Sequence, residues 1–259
     1  MLGPATAADF ADLDPPVRAR LAEIWTQRSA AEAGVAVYVR AVGEDLAGAG
    51  AHSSVLSMAA QLREDEQVHA RMCLEVAERY ASHTLEKPNP VRAEFRPLDG
   101  VPQPMRATLR VVGMNCIGET LAAAWMEASL RATQAPWLRT WVHRHFGDEV
   151  RHAQLGWAHL GTANVTPSMR AQIGVWVAPL LRANLASWLS EVNSDGASSL
   201  GHADHGILPY SETARIVREA IEEMILPGFE RVGVDTKAVW AALPGLLRRS
   251  AVAQGEAPT

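Results

Sequence analysis

Cysteine, lysine, alternating β-branched residues and long apolar runs are all scarce in this sequence, and each scarcity removes a class of protein. Two cysteines, Cys73 and Cys116, are too few for a disulfide-built secreted scaffold and suit a reducing cytoplasm. Two lysines, Lys87 and Lys237, leave no polybasic run for an anionic membrane surface. With 29 acidic against 24 basic residues the formal charge is −5, without the footprint of a nucleic-acid binder. Glu119 interrupts the apolar stretch 111–126 and Arg182 interrupts 171–189, so neither offers the ~20 apolar residues a spanning helix needs. The opening MLGPATAADFADLDPP has no basic start and no long apolar core, so no signal peptide is expected. These features point to a cytoplasmic protein with no membrane and no nucleic-acid partner. At 259 residues, 48% hydrophobic, the chain is long enough for one large domain or two small ones.

What is present is helix-forming almost throughout: Ala, Leu, Arg, Glu and Met dominate. Pro15-Pro16 leads into helix A, expected from about Val17 to Ala47 and closed by Gly48 and Gly50. Ser53 or Ser54 is placed to cap helix B, running to about His83. Lys87–Pro104 holds five prolines and must be a connection. Helix C follows over about Met105–Thr133, helix D from Pro136 to about Leu160, and helix E from Pro167 to about Val192. Asn193–Pro209 reads as a Gly- and Ser-rich loop, and Ser211 as the cap of helix F, which Pro227-Gly228 stops near Leu226. A last helix is expected over about Thr236–Arg248, with a frayed tail AQGEAPT. Two long helices, a long crossover and two more long helices make a ferritin-like four-helix bundle. The expectation is one all-α domain over 1–259, with the bundle at about 17–163 and extra C-terminal helices at about 167–249.

The chemistry sits in two repeated spacings. REDEQVH places Glu66 and His69 three apart, and GDEVRH does the same for Glu149 and His152. Residues three apart share a helix face, so each pair can converge on one point. A carboxylate with a neutral imidazole suits divalent iron or manganese. One Glu-x-x-His is a weak signal, and two on the second and fourth long helices form a strong one. Glu32 is the only charge between Arg28 and Arg40, and Glu119 the only one between Arg110 and Glu127. A lone carboxylate in an apolar helix is costly to bury unless it is paired or metal-bound. Glu32 and Glu66 are 34 positions apart, and Glu119 and Glu149 are 30, each a long helix plus a turn. This is the di-iron carboxylate pattern, one Glu from each of two helices and Glu-x-x-His from the other two. The bland alternative is a set of surface salt-bridge residues on amphipathic helices.

His145 lies four before Glu149 and seven before His152, on the same stripe, whereas His143 points elsewhere. The run H-x-x-x-E-x-x-H at 145–152, with Glu32, Glu66, His69 and Glu119, resembles the aminobenzoate N-oxygenase family of ferritin-like di-iron enzymes. The segment ILPGFERVGVD at 225–235 is similar to that family's region after the bundle, and the resemblance covers roughly 17–240. It implies that His145 joins Glu32, Glu66, His69, Glu119, Glu149 and His152 as a metal ligand, and that Asp65 and Asp148 serve the histidines. It also implies a monooxygenase holding two Fe ions and using O2. The substrate would be a small organic molecule, an (aryl)amine oxidised to hydroxylamine or nitro product. A ferredoxin or flavin reductase would be the electron donor, and a homodimer is possible. A di-iron C–H hydroxylase or desaturase, a ferroxidase and a metal-free helical binding module remain the alternatives. Cys73 and Cys116 are expected as small buried residues, His202 and His205 as solvated loop residues, Arg151 in an ion pair. The eight tryptophans are expected as core and pocket walls rather than an electron-transfer chain.

Overall fold

The computed structural model describes residues 10, 13–91, 98, 100–190 and 202–252. Among these there is no strand, only an isolated bridge between His202 and Ile207, and the fold class is all-α. The expected frayed tail and residues 193–201 of the expected loop lie outside the described residues. No helix among the described residues is long and apolar enough to cross a membrane.

Helix α1 (Pro15–Gly48) carries its two prolines in the first turn, where no intrahelical N–H bond is lost. The link at 49–52 is so short that α2 (Ser53–Ala81) must return beside α1 as an antiparallel neighbour. Its cap differs from the one expected: Nδ1 of His52 accepts the Ser54 N–H at 3.3 Å, so the histidine replaces a serine cap. The segment after α2 crosses α1 at Gly34. An added Cβ there would lie 1.9 Å from the Val91 carbonyl oxygen, and the Val91 N–H bonds to the Ala30 carbonyl at 2.9 Å.

The third long segment departs from the single regular helix expected over 105–133. It consists of α3 (Gln103–Val111), a π-helical stretch (Val112–Glu119) and α4 (Thr120–Ala132). A π turn takes in one more residue than an α turn and frees backbone groups, which need other partners. Here Asn184 donates from outside the stretch to the Gly113 carbonyl at 3.1 Å, and Asn115 within it donates to the His152 carbonyl at 3.0 Å. Helix α5 (Pro136–Gly161) approaches the stretch through Gly156, where an added Cβ would meet Cys116 Sγ at 2.6 Å and its backbone nitrogen at 2.8 Å. Gly156→Ala therefore forces overpacking, expected to cost about 1–3 kcal/mol and to lower Tm by roughly 2–10 °C. Thermal denaturation checks this, and an unchanged Tm would show that the contact yields freely.

Helix α2 packs on α1 and α5, α5 on α4 and the π stretch, and α3 back on α1, which closes a ring of four long helical segments. A second layer follows: α6 (Pro167–Ser190), α7 (Tyr210–Ala220), a short π turn (Ile221–Ile225), α8 (Leu226–Arg231) and α9 (Lys237–Val252). It covers the π stretch through Leu181, Ile221 and Phe229, which share one core with Ile117 of the stretch and Leu121 of α4, all fully buried. Two expected boundaries are corrected here. Ser211 is not the cap, since Pro209 stands at the N-cap position of α7 without a side-chain bond. Pro227 does not stop the helix. It falls in the first turn of α8, just after the π turn, where it needs no N–H partner.

Candidate metal centre

Helices α2 and α5 face each other across their Glu-x-x-His turns. Glu66, His69, Glu149 and His152 are all buried, and one donor atom from each lies within 4.8 Å of the others. A second group of four, Glu32, His69, His145 and Glu149, meets the same criterion and shares His69 and Glu149 with the first. Nδ1 of His152 is 3.0 Å from Glu66 Oε1 and 3.4 Å from Glu149 Oε2, while Nδ1 of His69 is 3.4 Å from Glu66 Oε2 and 3.5 Å from Glu149 Oε1.

The far side of each ring is held from the opposite helix. Nε2 of His69 on α2 donates to Asp148 on α5 at 3.1 Å, and Nε2 of His152 on α5 reaches Asp65 on α2 at 3.5 Å. Each Asp precedes one glutamate in sequence and holds the histidine of the other helix. Arg151 bridges the two from the solvent side, bonded to Asp148 and 3.5 Å from Asp65. With Nε2 engaged, Nδ1 is the nitrogen left facing the carboxylates, the tautomer a metal-ligating imidazole needs. Nδ1 of His69 and His152, Oε2 of Glu66 and Oε2 of Glu149 are buried and make no hydrogen bond. Buried polar atoms normally find partners, and four converging on one point fit a cation they would coordinate. Imidazole and carboxylate donors match divalent iron or manganese. Asp148→Asn is expected to weaken metal binding about 10–100-fold by loosening His69. Manganese or iron titration measures this, and wild-type affinity in the variant would remove the orienting role.

Without a cation, protons balance the site. Burial opposes charge on Glu66, but His152 and His69 beside it hold its carboxyl down at about 2. Burial likewise opposes charge on His69, yet Asp148 and Glu66 raise its imidazole to about 10. His152 is raised too, against burial, by Asp65 and Glu149. Glu149 is lowered against burial by His145 and His152. Burial, reinforced by Glu66, pushes the Glu32 carboxyl well up, and burial with Glu149 does the same for Glu119.

The seven expected ligands are not placed equally. Nε2 of His145 is 2.7 Å from Glu149 and 3.6 Å from Glu32, on the Glu32 side of the cluster. Glu32 is the least enclosed, with 20% of its side chain exposed. Glu119 is buried at the end of the π stretch, next to Glu149, but outside both groups of four. His143 is exposed, and both cysteines are fully buried and free. The expectation of a solvated His205 is corrected: it is buried, with Nδ1 2.8 Å from the Tyr80 hydroxyl. Sequence reasoning also missed Trp141, whose ring lies 5.6 Å from His69 and 5.1 Å from His145. Its spacing, four before His145, was the available signal.

A groove of about 520 Å³ opens along α1 and α2. Ser29, Ala33 and Ala36 line it from α1, and Gln67, Ala70 and Leu74 from α2, within a turn of Glu32, Glu66 and His69. In comparisons with known proteins, no family model, no curated protein and no solved structure matches the chain.

Proposed function

We propose that this chain is a ferritin-like, non-haem di-iron oxygenase that oxygenates the nitrogen of a small amine, as its resemblance to the aminobenzoate N-oxygenases implies. The observation that carries the metal assignment is the pair of overlapping donor groups, with four buried, unbonded donor atoms turned inward and both histidines held from behind by Asp65 and Asp148. The choice of amine nitrogen rests on His145 at its place on the α5 stripe.

Two irons bound there would supply reductive O2 activation and oxygen transfer. Glu66, Glu149, His69 and His152 would hold one ion, Glu32 and His145 would extend the cluster toward α1, and Glu119 would approach from the π stretch. Asp65 and Asp148 keep the imidazole protons on Nε2. The surrounding core keeps Glu66, His69, Glu149 and His152 out of contact with solvent. The groove along α1 and α2 has the volume of a small-molecule site, and Ala33 and Ala70, which line it, adjoin Glu32 and His69 in sequence. A ferredoxin or flavin reductase delivers the electrons.

Purified protein is expected to hold about two irons per chain, the stoichiometry of the di-iron pattern. Content far below one would sink this reading in favour of a metal-free helical module. His145→Ala is expected to keep the fold and lose oxygenation in a peroxide-driven assay against a panel of amines and hydrocarbons. Full activity in that variant would remove the N-oxygenase link. Wild-type oxidation of hydrocarbons alone would make the enzyme a C–H hydroxylase.

A further inference from the structure

Beside the donor cluster, aromatic side chains run in order from the ligands to one end of the fold. Trp141 contacts His69 and His145 at ring-centroid distances of 5.6 and 5.1 Å. Trp137 precedes it by four residues, ~6 Å along α5. Trp137 lies 5.6 Å from Tyr80 on α2, and the Tyr80 hydroxyl is 2.8 Å from Nδ1 of His205. All four side chains are buried. Beyond them, Nε2 of His205 is 3.5 Å from Asp204, whose side chain is 58% exposed.

The hydrogen bonding along this row is uneven in a way that gives it a direction. The indole N–H groups of Trp137 and Trp141 are buried and have no acceptor. An indole that loses an electron becomes a strong acid. With nowhere to put its proton it stays a cation radical, ready to be refilled by the next donor. The Arg79 guanidinium, 5.2 Å over the Trp137 ring, makes a cation there less stable, so Trp137 is a step and not a resting place. Tyr80 differs, because its hydroxyl already donates to a base. Burial lowers the pKa of His205, which keeps the imidazole neutral and able to accept.

We propose that Trp141, Trp137 and Tyr80 form an electron route into the metal centre, with Tyr80 as terminal donor and His205 as its proton acceptor. The identity of the oxidant rests on the oxygenase reading above: an oxidising equivalent left at the centre when O2 is activated without substrate. One electron leaves Tyr80 and passes through Trp137 and Trp141 to reduce that equivalent. The phenolic O–H bond breaks as an N–H bond forms on Nδ1 of His205. The products are a neutral tyrosyl radical and a histidinium. The route thereby draws damage away from the ligands and leaves it on Tyr80, whose proton acceptor His205 adjoins the exposed Asp204, the side from which an external reductant refills the tyrosyl.

A metal-free test separates the route from the iron chemistry. His143 is exposed and the native cysteines are fully buried, so a ruthenium(II) polypyridyl photo-oxidant can be tethered to His143→Cys, two residues from Trp141. After a flash with an oxidative quencher, the optical band and EPR signal of a neutral tyrosyl radical are expected. Tyr80→Phe should lose them, Trp137→Phe should lose most of the yield, and His205→Gln should lose the neutral radical. A signal that persists in Tyr80→Phe, or is unchanged in Trp137→Phe, overturns the route. If Tyr80→Phe loses its helical circular dichroism, the other two variants decide. Iron-loaded, untagged protein should give the same Tyr80-dependent signal on peroxide addition without substrate. Failure to bind iron would overturn the oxygenase reading and the oxidant's identity, whereas loss of Tyr80 dependence in the ruthenium experiment overturns the route itself.

Discussion

Glu149→Gln is expected to take iron from about two per chain to below one while leaving the helical content intact. Among the described residues Glu149 is the one carboxylate shared by both groups of donors. It lies 2.7 Å from His145, 3.4 Å from His152 and 3.5 Å from His69. The amide keeps the volume and removes the charge, so the core stays filled. Glu149→Ala is the harsher change. It takes from buried His145 its nearest carboxylate and leaves His69 and His152 with Glu66 alone on that side, and breaking a buried pair costs about 3–5 kcal/mol. Iron analysis beside circular dichroism reads both effects, and near-wild-type iron in Glu149→Gln would refute the shared-ligand role.

Filling the site with two divalent ions is expected to release as many as four protons. Two are expected from the carboxyls of Glu32 and Glu119, whose pKa burial raises, and two from the imidazoliums of His69 and His152. Ligands must be deprotonated to bind, so apparent metal affinity rises with pH, by up to about tenfold per pH unit for each proton displaced. Calorimetric titration with manganese(II) in buffers of different protonation enthalpy counts these protons. Fewer than one would show that the metal-free site is not proton-balanced. The linkage also has a sign for the metal-free fold. His69 is raised from 6.5 to about 10, so its contribution is complete below 6.5 and is lost as pH climbs through 10. Glu66 is lowered to about 2, so its contribution is present above 4.5 and lost as pH falls through 2. Metal-free protein is therefore most stable in mild acid and weakens toward alkaline pH.

Much of this centre was legible because helical spacing is local. Glu66 with His69, and Glu149 with His152, share a face by periodicity alone, and solitary glutamates in apolar runs stand out by cost. What stayed hidden depends on partners distant in sequence. Nothing near residue 112 announces a π stretch, which is supported by Asn184 from α6 and by the missing Cβ of Gly156 on α5. Asp65 adjoins Glu66 in sequence, but its partner is His152, 87 residues away. His205 looked solvated within a Gly- and Ser-rich segment, and its hydroxyl partner, Tyr80, lies 125 residues earlier. Pro227 looked like a stop because a widened turn ahead of a proline leaves no local trace.

The π stretch ends at Glu119, and this gives the third long segment a sensitivity to length that the other three lack. A helix that has absorbed one residue can shed it again without moving its ends. Each residue turns an α-helix by ~100°, so deleting one position within Val112–Gly118 would restore a regular helix and re-aim the side chains inside the stretch while α3 and α4 keep their places. Glu119 sits at that seam. A single codon lost there would leave a well-folded bundle whose third segment offers the centre a different side chain, a route by which such a scaffold could trade one chemistry for another while keeping its fold.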